Sequence, residues 1–374
     1  MRIAVNTRFL LKDYLEGYGY FAYETFKRIT QNHPEHEFIF IFDRKFDERF
    51  IFSSNIIPVV ASPPARHPLL WKWWYNVKVP LILKKYKAGL FVSADGFCSL
   101  STKVPQCLVV HDLSFLHYPK FIKKSHLDFH KLYTPKFLAE ANSIATVSQF
   151  SKQDILQHYD ISPEKINVVY SAAKQNFQAV SEEVKQQIKG NFSGNKEYFL
   201  FTGAIHPRKN LLNLLKAFSV FKKRQQSSIK LLLAGRLAWK FDSFIKSLET
   251  YKYRDDVVLL NYLEESELVK ITASAYAVVY PSLFEGFGVP VLEAMQCEVP
   301  VITSAASAMQ EIAGDAALYA DAENYNDLAE KMMRLYKDES LRSELIQKGK
   351  NIARLYSWDR TAGLLWETMQ KALV

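Results

Sequence analysis

Cysteine is scarce in this chain: three in 374 residues, at Cys98, Cys107 and Cys297. Three scattered thiols build neither a disulfide framework nor a cysteine-based zinc site, and they fit a reducing compartment, the cytoplasm. Glycine (13) and proline (14) are also sparse, which argues against a disordered or low-complexity chain. No apolar run approaches the roughly 18–20 residues that cross a bilayer. The N-terminus, Met1-Arg2-Ile3-Ala4-Val5-Asn6, reads as a strand rather than a signal peptide. A soluble protein is expected, one that at most lies on a membrane surface. No Asp-x-Asp occurs and the nine histidines are dispersed along the sequence, so no metal site is expected.

What is abundant is apolar: 48% of residues are hydrophobic, enough for large cores, and the length suits two domains. Short β-branched and aromatic runs alternate with helical patterns. Strands are predicted at 3–7, 38–42, 56–61, 90–93, 107–111, 143–147 and 166–170, with helices at 19–30, 70–87, 123–139 and 151–159. The rhythm breaks over 174–196, a polar stretch read as a linker with a short helix at 182–189. It restarts with strands at 198–202, 229–234, 257–261, 277–280, 299–303 and 317–319, and helices at 211–224, 241–251, 264–274, 291–297 and 308–312. The tail is helical over 325–336, 340–355 and 358–372. Continuous apolar strands alternating with helices predict two doubly wound parallel sheets, an α/β fold. In such sheets ligands bind at the carboxyl ends of the strands, near helix N-termini.

Four strand-end segments carry unusual residues. In Tyr280-Pro281-Ser282-Leu283-Phe284-Glu285-Gly286-Phe287-Gly288-Val289-Pro290-Val291-Leu292-Glu293, two glycines let the backbone approach a ligand, and a helix start supplies free N–H donors. A diphosphate or sugar ring fits such a loop, and each carboxylate can accept from a vicinal diol. A plain glycine turn capping a helix explains each feature taken singly. In His206-Pro207-Arg208-Lys209-Asn210 the basic pair suits a diphosphate, or else a solvated loop cap. His111-Asp112-Leu113 ends a buried strand; the imidazole can bond a sugar hydroxyl or a structural neighbour. Glu16-Gly17-Tyr18-Gly19-Tyr20 lacks the third glycine of a dinucleotide fingerprint, which counts against an NAD enzyme.

Taken together these segments resemble the family 4 glycosyltransferases of GT-B fold: Glu285-x7-Glu293 within P-S-x-x-E-G-F-G-x-P-x-x-E-A-M, the P-R-K-N element, H-D-L, and a glycine loop. Smaller matches are V-S-x-F-S-K at 147–152 and Ala234-Gly235-Arg236. The resemblance implies two Rossmann-like domains facing a cleft: residues 1–175, joined by a C-terminal helix 357–374 that crosses back, and residues 176–356. It implies a retaining, metal-independent hexosyltransferase without cofactor that uses a GDP- or UDP-sugar donor. Glu285, His111, Arg208 and Lys209 are then the residues at the reaction. Gly17, Gly19, Gly286, Phe287, Gly288, Glu293 and Arg236 contact the donor, with Glu293 on the ribose and Arg236 near the base. The acceptor is expected to be a glycan or lipid-linked hydroxyl in cell-surface polysaccharide biosynthesis. Many relatives carry an arginine where this chain has Ala204, leaving open which cation meets which phosphate. A nucleotide-sugar epimerase, a phosphorylase or a non-catalytic nucleotide-sugar-binding protein are the rival readings.

The net charge of +9 is concentrated: residues 51–140 hold 12 basic and 4 acidic side chains. Within them, residues 66–87 interleave Trp, Tyr and Lys, and residues 120–136 add a second basic run. Such a mixture suits an anionic membrane surface, or a sheet-covering helix with its aromatics inward. Nucleic acid is not expected as a partner. The expected location is cytoplasmic, at most peripheral at the inner face of the plasma membrane.

Overall fold

In the computed structural model, which describes residues 1–12, 15, 17–238 and 242–374, the chain divides into two compact units, Met1–Ser171 with Ser357–Val374, and Ala172–Tyr356. The first is a seven-stranded parallel sheet: β1 (Arg2–Asn6), β2 (Glu37–Phe42), β3 (Ile56–Val60), β4 (Leu90–Ser93), β5 (Gln106–Val110), β6 (Ser143–Thr146) and β7 (Ile166–Val168), in the order β3-β2-β1-β4-β5-β6-β7. The second has six: β8 (Tyr198–Thr202), β9 (Lys230–Ala234), β10 (Val257–Asn261), β11 (Ala277–Tyr280), β12 (Val301–Ser304) and β13 (Ala317–Ala320), in the order β10-β9-β8-β11-β12-β13. Every residue of β5, β8 and β11 is buried, as expected where helices cover both faces. Strand order reverses between β1 and β4 and between β8 and β11, the crevices where such sheets bind ligands.

The tail helix Trp358–Lys371 belongs to the first unit. Ser143 Oγ donates to Thr368 O at 2.8 Å, Thr361 Oγ1 to Tyr170 O at 2.7 Å, and Trp366 stacks on His33 with centroids 3.7 Å apart. β7 stops at Val168 rather than at Tyr170 because its partner β6 ends at Thr146, and the Tyr170 carbonyl is taken by the returning helix.

Other boundaries differ for equally local reasons. The helix expected over 70–87 is three pieces, Pro68–Trp73, a π-helical turn Trp74–Lys78, and Val79–Tyr86. Pro80 has no N–H to give four residues back, and Val79 N–H instead bonds Trp74 O, five back. The strand expected at 299 begins at Val301, because Val299 N–H closes the preceding helix on Ala294 O. The helix expected to start at Phe241 is described only from Asp242 to Glu249; Phe241 lies outside the described residues. The three cysteines are buried and free.

After β8 and β9 the chain stays paired. Gly203 N–H bonds Ala234 O (2.9 Å), and Ile205 N–H bonds Arg236 O (2.9 Å). This needs Gly235, whose φ is +155° and whose Cβ, if present, would stand 1.9 Å from Gly203 O. Gly235→Ala is expected to cost at least about 2 kcal/mol and to lower Tm by roughly 4–8 °C in a thermal melt. An unchanged melt would show that this backbone approach is dispensable.

Candidate active site

The basic pair and the first glutamate meet at the β8/β11 crevice. Beyond β8 the chain makes a short turn, Pro207–Lys209, capped where His206 Nδ1 accepts from Arg208 N–H at 3.2 Å. Asn210 follows in the left-handed region (φ 63°) and clips this turn down, its side-chain amide donating to Pro281 O (3.1 Å) and Ala322 O (2.6 Å). Leu283 N–H bonds Arg208 O at 2.9 Å, which ties the turn to the segment after β11.

Lys209 Nζ lies 2.6 Å from Glu285 Oε1 and 2.6 Å from the Tyr280 hydroxyl, 4.9 Å over that ring's centroid. Arg208 Nη1 donates to Phe284 O at 3.0 Å and stands 3.9 Å from Glu285 Oε2. Ser282 Oγ donates to the same carboxylate, and Glu285 N–H bonds Ser307 Oγ at 2.9 Å. Burial pushes the Glu285 carboxyl up, but the charges of Lys209 and Arg208, with hydrogen bonds from Lys209 and Ser282, outweigh it and hold it at about 2. It is a fixed anion at neutral pH and a poor proton acceptor.

Gly288 (φ +94°) precedes the helix Val289–Gln296, with Pro290 in its first turn. Phe287 faces inward: its side chain is buried edge-on to Tyr356 at 5.7 Å, so only its backbone is left for a ligand. Glu293, on the buried face of the helix, has Lys174 and Glu265 as charged neighbours. Among the described residues no hydrogen bond ends on its carboxylate. Burial pushes it up to about 7, Glu265 adding to the rise and Lys174 opposing it. Arg236, just after β9, stands exposed.

In the first unit His111 follows β5. Its Nε2–H donates to Ala94 O at 3.1 Å, which leaves Nδ1 as the acceptor. Burial lowers its pKa to about 4, against the Ala94 bond and the charges of Asp112 and Asp95, so the ring is neutral. Tyr18 lies against it at 4.5 Å and Phe21 edge-on at 5.1 Å. Gly17 and Gly19 open the helix Gly17–Asn32, and the segment reaches His111 through Tyr18. Gly19 is required by packing, since a Cβ there would stand 2.4 Å from Phe9 O. Glu16 lies outside the described residues.

Beside His111 is a buried polar cluster that the motifs did not mark. Arg8 Nε bonds Asp95 Oδ2 at 2.7 Å, Arg8 Nη1 donates to Ala65 O at 2.9 Å, and Tyr75 and Asn6 also bond Asp95. The guanidinium sits among the rings of Phe9, Tyr75, Phe97 and Trp71, 4.8 to 5.9 Å away. A charged residue two places after an apolar strand was the available signal.

The basic aromatic stretch is divided between core and surface. Trp71, Trp74 and Tyr75 are buried, the two indoles donating to Ala65 O and Ala61 O. Leu69, Leu70, Trp73, Val77 and Leu81 are exposed, with Lys72, Lys84 and Lys85 among them. In the second run the half-buried His130 stacks against Phe115, and Lys124 pairs with Asp128. Among the described residues no helix is long and apolar enough to cross a membrane.

Comparison with known proteins places these units. The profile for Glycosyltransferase Family 4 matches residues 17–173, and that for Glycosyl transferases group 1 matches residues 182–352. The chain is 29% identical over 253 residues to O-antigen chain mannosyltransferase B of Escherichia coli, which covers 67% of this chain and 66% of that one. It is 29% identical over 280 residues to O-antigen chain mannosyltransferase RfbU of Salmonella typhimurium, 72% of this chain and 71% of that one. The match thus spans about two thirds of these relatives' length. Among solved structures, Anabaena HepE in complex with UDP-glucose is similar with a TM-score of 0.76 at 15% identity, over 99% of both chains, a likeness of fold.

Proposed function

The chain belongs to the family 4 glycosyltransferases, with two Rossmann-like sheets of GT-B type, and we propose that it is a retaining, metal-independent mannosyltransferase. It moves mannose from GDP-mannose to a hydroxyl of a glycan or lipid-linked acceptor in O-antigen or related polysaccharide synthesis. The observation that carries the reading is the cluster of buried Glu285 with half-buried Arg208 and Lys209 at the β8/β11 crevice. Two cations held at fixed positions suit the charge that develops on a departing diphosphate. Glu285, ionised and oriented by Ser282 and Ser307, suits the donor sugar's hydroxyls. The loop amides from Gly286 to Gly288 face the sugar and phosphate, and Arg236 lies toward the base. In the first unit Gly17 and Gly19 shape the segment that carries Tyr18, and neutral His111 offers Nδ1 to a sugar hydroxyl.

Glu285 is too acidic to deprotonate the acceptor. In the proposed retaining course the displacement is on the same face: the bond from C1 to the diphosphate oxygen breaks, C1 bonds the acceptor oxygen, and the acceptor proton passes to the departing phosphate.

Glu293 takes the ribose hydroxyls, which donate best to its ionised form. Because its carboxyl titrates near 7, donor affinity should weaken about tenfold per unit as pH falls below 7. Glu293→Gln should bind weakly at every pH and show a flat profile by calorimetry. A pH-dependent profile that persists in Glu293→Gln would remove the residue from this role. The same shift acts oppositely on the free protein: between about 4.5 and 7 the folded state holds the extra proton, so stability falls as pH rises through that window.

The exposed stripe of Leu69, Leu70, Trp73, Val77 and Leu81 with its lysines suits contact with an anionic membrane at the cytoplasmic face, where a lipid-linked acceptor resides. The test presents a polyprenyl-linked oligosaccharide in anionic vesicles with labelled GDP-mannose, and UDP-glucose as the competing donor. Label from GDP-mannose is expected in the lipid fraction with α-configuration, and the chain should sediment with the vesicles at low salt. Epimerised or hydrolysed donor without transfer, or transfer from UDP-glucose alone, would overturn the reading.

A further inference from the structure

Dispersed in sequence, three metal-type ligands converge in the first unit. His117 ends the short helix Ser114–His117, just beyond Leu113. Asp154 and His158 are four residues apart on the helix Gln149–His158, and so share a face. His117 Nε2 is 2.8 Å from Asp154 Oδ1, and His158 Nδ1 is 3.2 Å from the same oxygen. The ligand atoms of all three lie within 4.8 Å of one another. The Asp154 side chain is 4% exposed, whereas the imidazoles are 32% and 33% exposed.

A second observation is independent of this convergence. Asp154 Oδ2 is buried with no hydrogen-bond partner, while Oδ1 meets both imidazoles. A buried carboxylate oxygen left unpartnered in this way calls for an explanation such as an ion or an ordered water.

We propose that His117, Asp154 and His158 bind a divalent transition ion of the zinc class. Two imidazoles and one carboxylate suit Zn²⁺, Co²⁺ or Ni²⁺, whereas Mg²⁺ and Ca²⁺ favour all-oxygen sets. Ligand atoms about 2.1 Å from one ion stand roughly 3–3.5 Å apart; the two imidazole–Asp154 separations are already in that neighbourhood, and the two imidazoles, within 4.8 Å of each other, close on the ion by side-chain rotation. His158 Nδ1 also lies 2.9 Å from Asp154 O. On binding, that ring moves its proton to Nε2 and gives the Nδ1 lone pair to the ion. The exposed sides of both rings leave a coordination position for water. The ion clamps the segment that follows His111-Asp112-Leu113 onto the helix that follows β6. It is a structural ion: the cations assigned to the diphosphate, Arg208 and Lys209, belong to the other unit.

The untagged full chain, dialysed against chelator, is titrated with Co²⁺. Visible d–d absorption saturating at one ion per chain is expected, displaced by Zn²⁺ and unaffected by Mg²⁺, together with a Zn²⁺-dependent rise in Tm. His158→Ala, at the last residue of its helix, and His117→Ala should each weaken binding by at least about tenfold. Asp154→Asn should do so while keeping the side chain's shape, and His126→Ala, elsewhere in the same unit, should leave the titration unchanged. Absence of a saturable band, or a band that survives in the His117→Ala/His158→Ala double variant, overturns the site. The exposed position of His158 keeps the outcome readable if Asp154→Asn fails to fold.

Discussion

Glu285→Gln lowers the transfer rate by about 10²–10³-fold, the scale of losing one preorganised electrostatic group, without raising the donor KM. The amide keeps the volume of the carboxylate but offers one acceptor oxygen and no charge to the sugar. Lys209, otherwise 2.6 Å from Oε1, and Arg208 then no longer share their charge with a carboxylate, so ground-state donor binding is maintained or tightened. The loss therefore falls on kcat. Steady-state kinetics with the donor varied would read it, and a kcat within about twofold of the parent would refute the assignment. The substitution also alters the acid limb of stability. In the parent the folded carboxyl titrates near 2, below its usual 4.5, so the unfolded chain binds more protons between those values. That contribution is complete above about 4.5 and is lost as pH falls toward 2. In Glu285→Gln this part of the acid transition should be absent.

Much of this site could be read in the sequence, for a physical reason. Glu285 and Glu293 share one strand-loop-helix unit, and Arg208-Lys209 another, so each pattern is local. Their meeting needs only the strand order that places β8 beside β11. What escaped was tertiary. Tyr280, Ser307 and Asn210 hold the cluster through bonds spanning 22 to 112 positions, and no short motif encodes such partners. The Arg8–Asp95 pair joins residues 87 apart in the same way. His117 and Asp154 read as dispersed because 37 positions separate them, and they meet because β5 and β6 are neighbours. Boundaries erred where one backbone group decided them. Examples are the missing N–H of Pro80 and the Tyr170 carbonyl taken by a helix almost two hundred residues later. Gly19 is demanded by the Phe9 carbonyl, a steric need that coexists in this segment with the glycine pattern read from the sequence.

Lys209→Met removes the close cation of a buried pair, with side chains 13% and 10% exposed. Glu285 is then left with Arg208 at 3.9 Å as its remaining countercharge, and the Tyr280 hydroxyl loses its 2.6 Å partner. Breaking a buried pair from one side costs about 3–5 kcal/mol, because the other charge stays desolvated. In a unit of this size that corresponds to a Tm drop of roughly 6–20 °C. The decisive measurement is the double variant. Adding Glu285→Gln to Lys209→Met removes the stranded charge, so most of the lost stability should return even though a second native group has been deleted. Transfer activity should not return, since the diphosphate has lost a cation and the sugar its carboxylate. If the double variant melts below Lys209→Met, the pair acts through packing rather than charge. The lowered pKa of Glu285 would then have lost its cause.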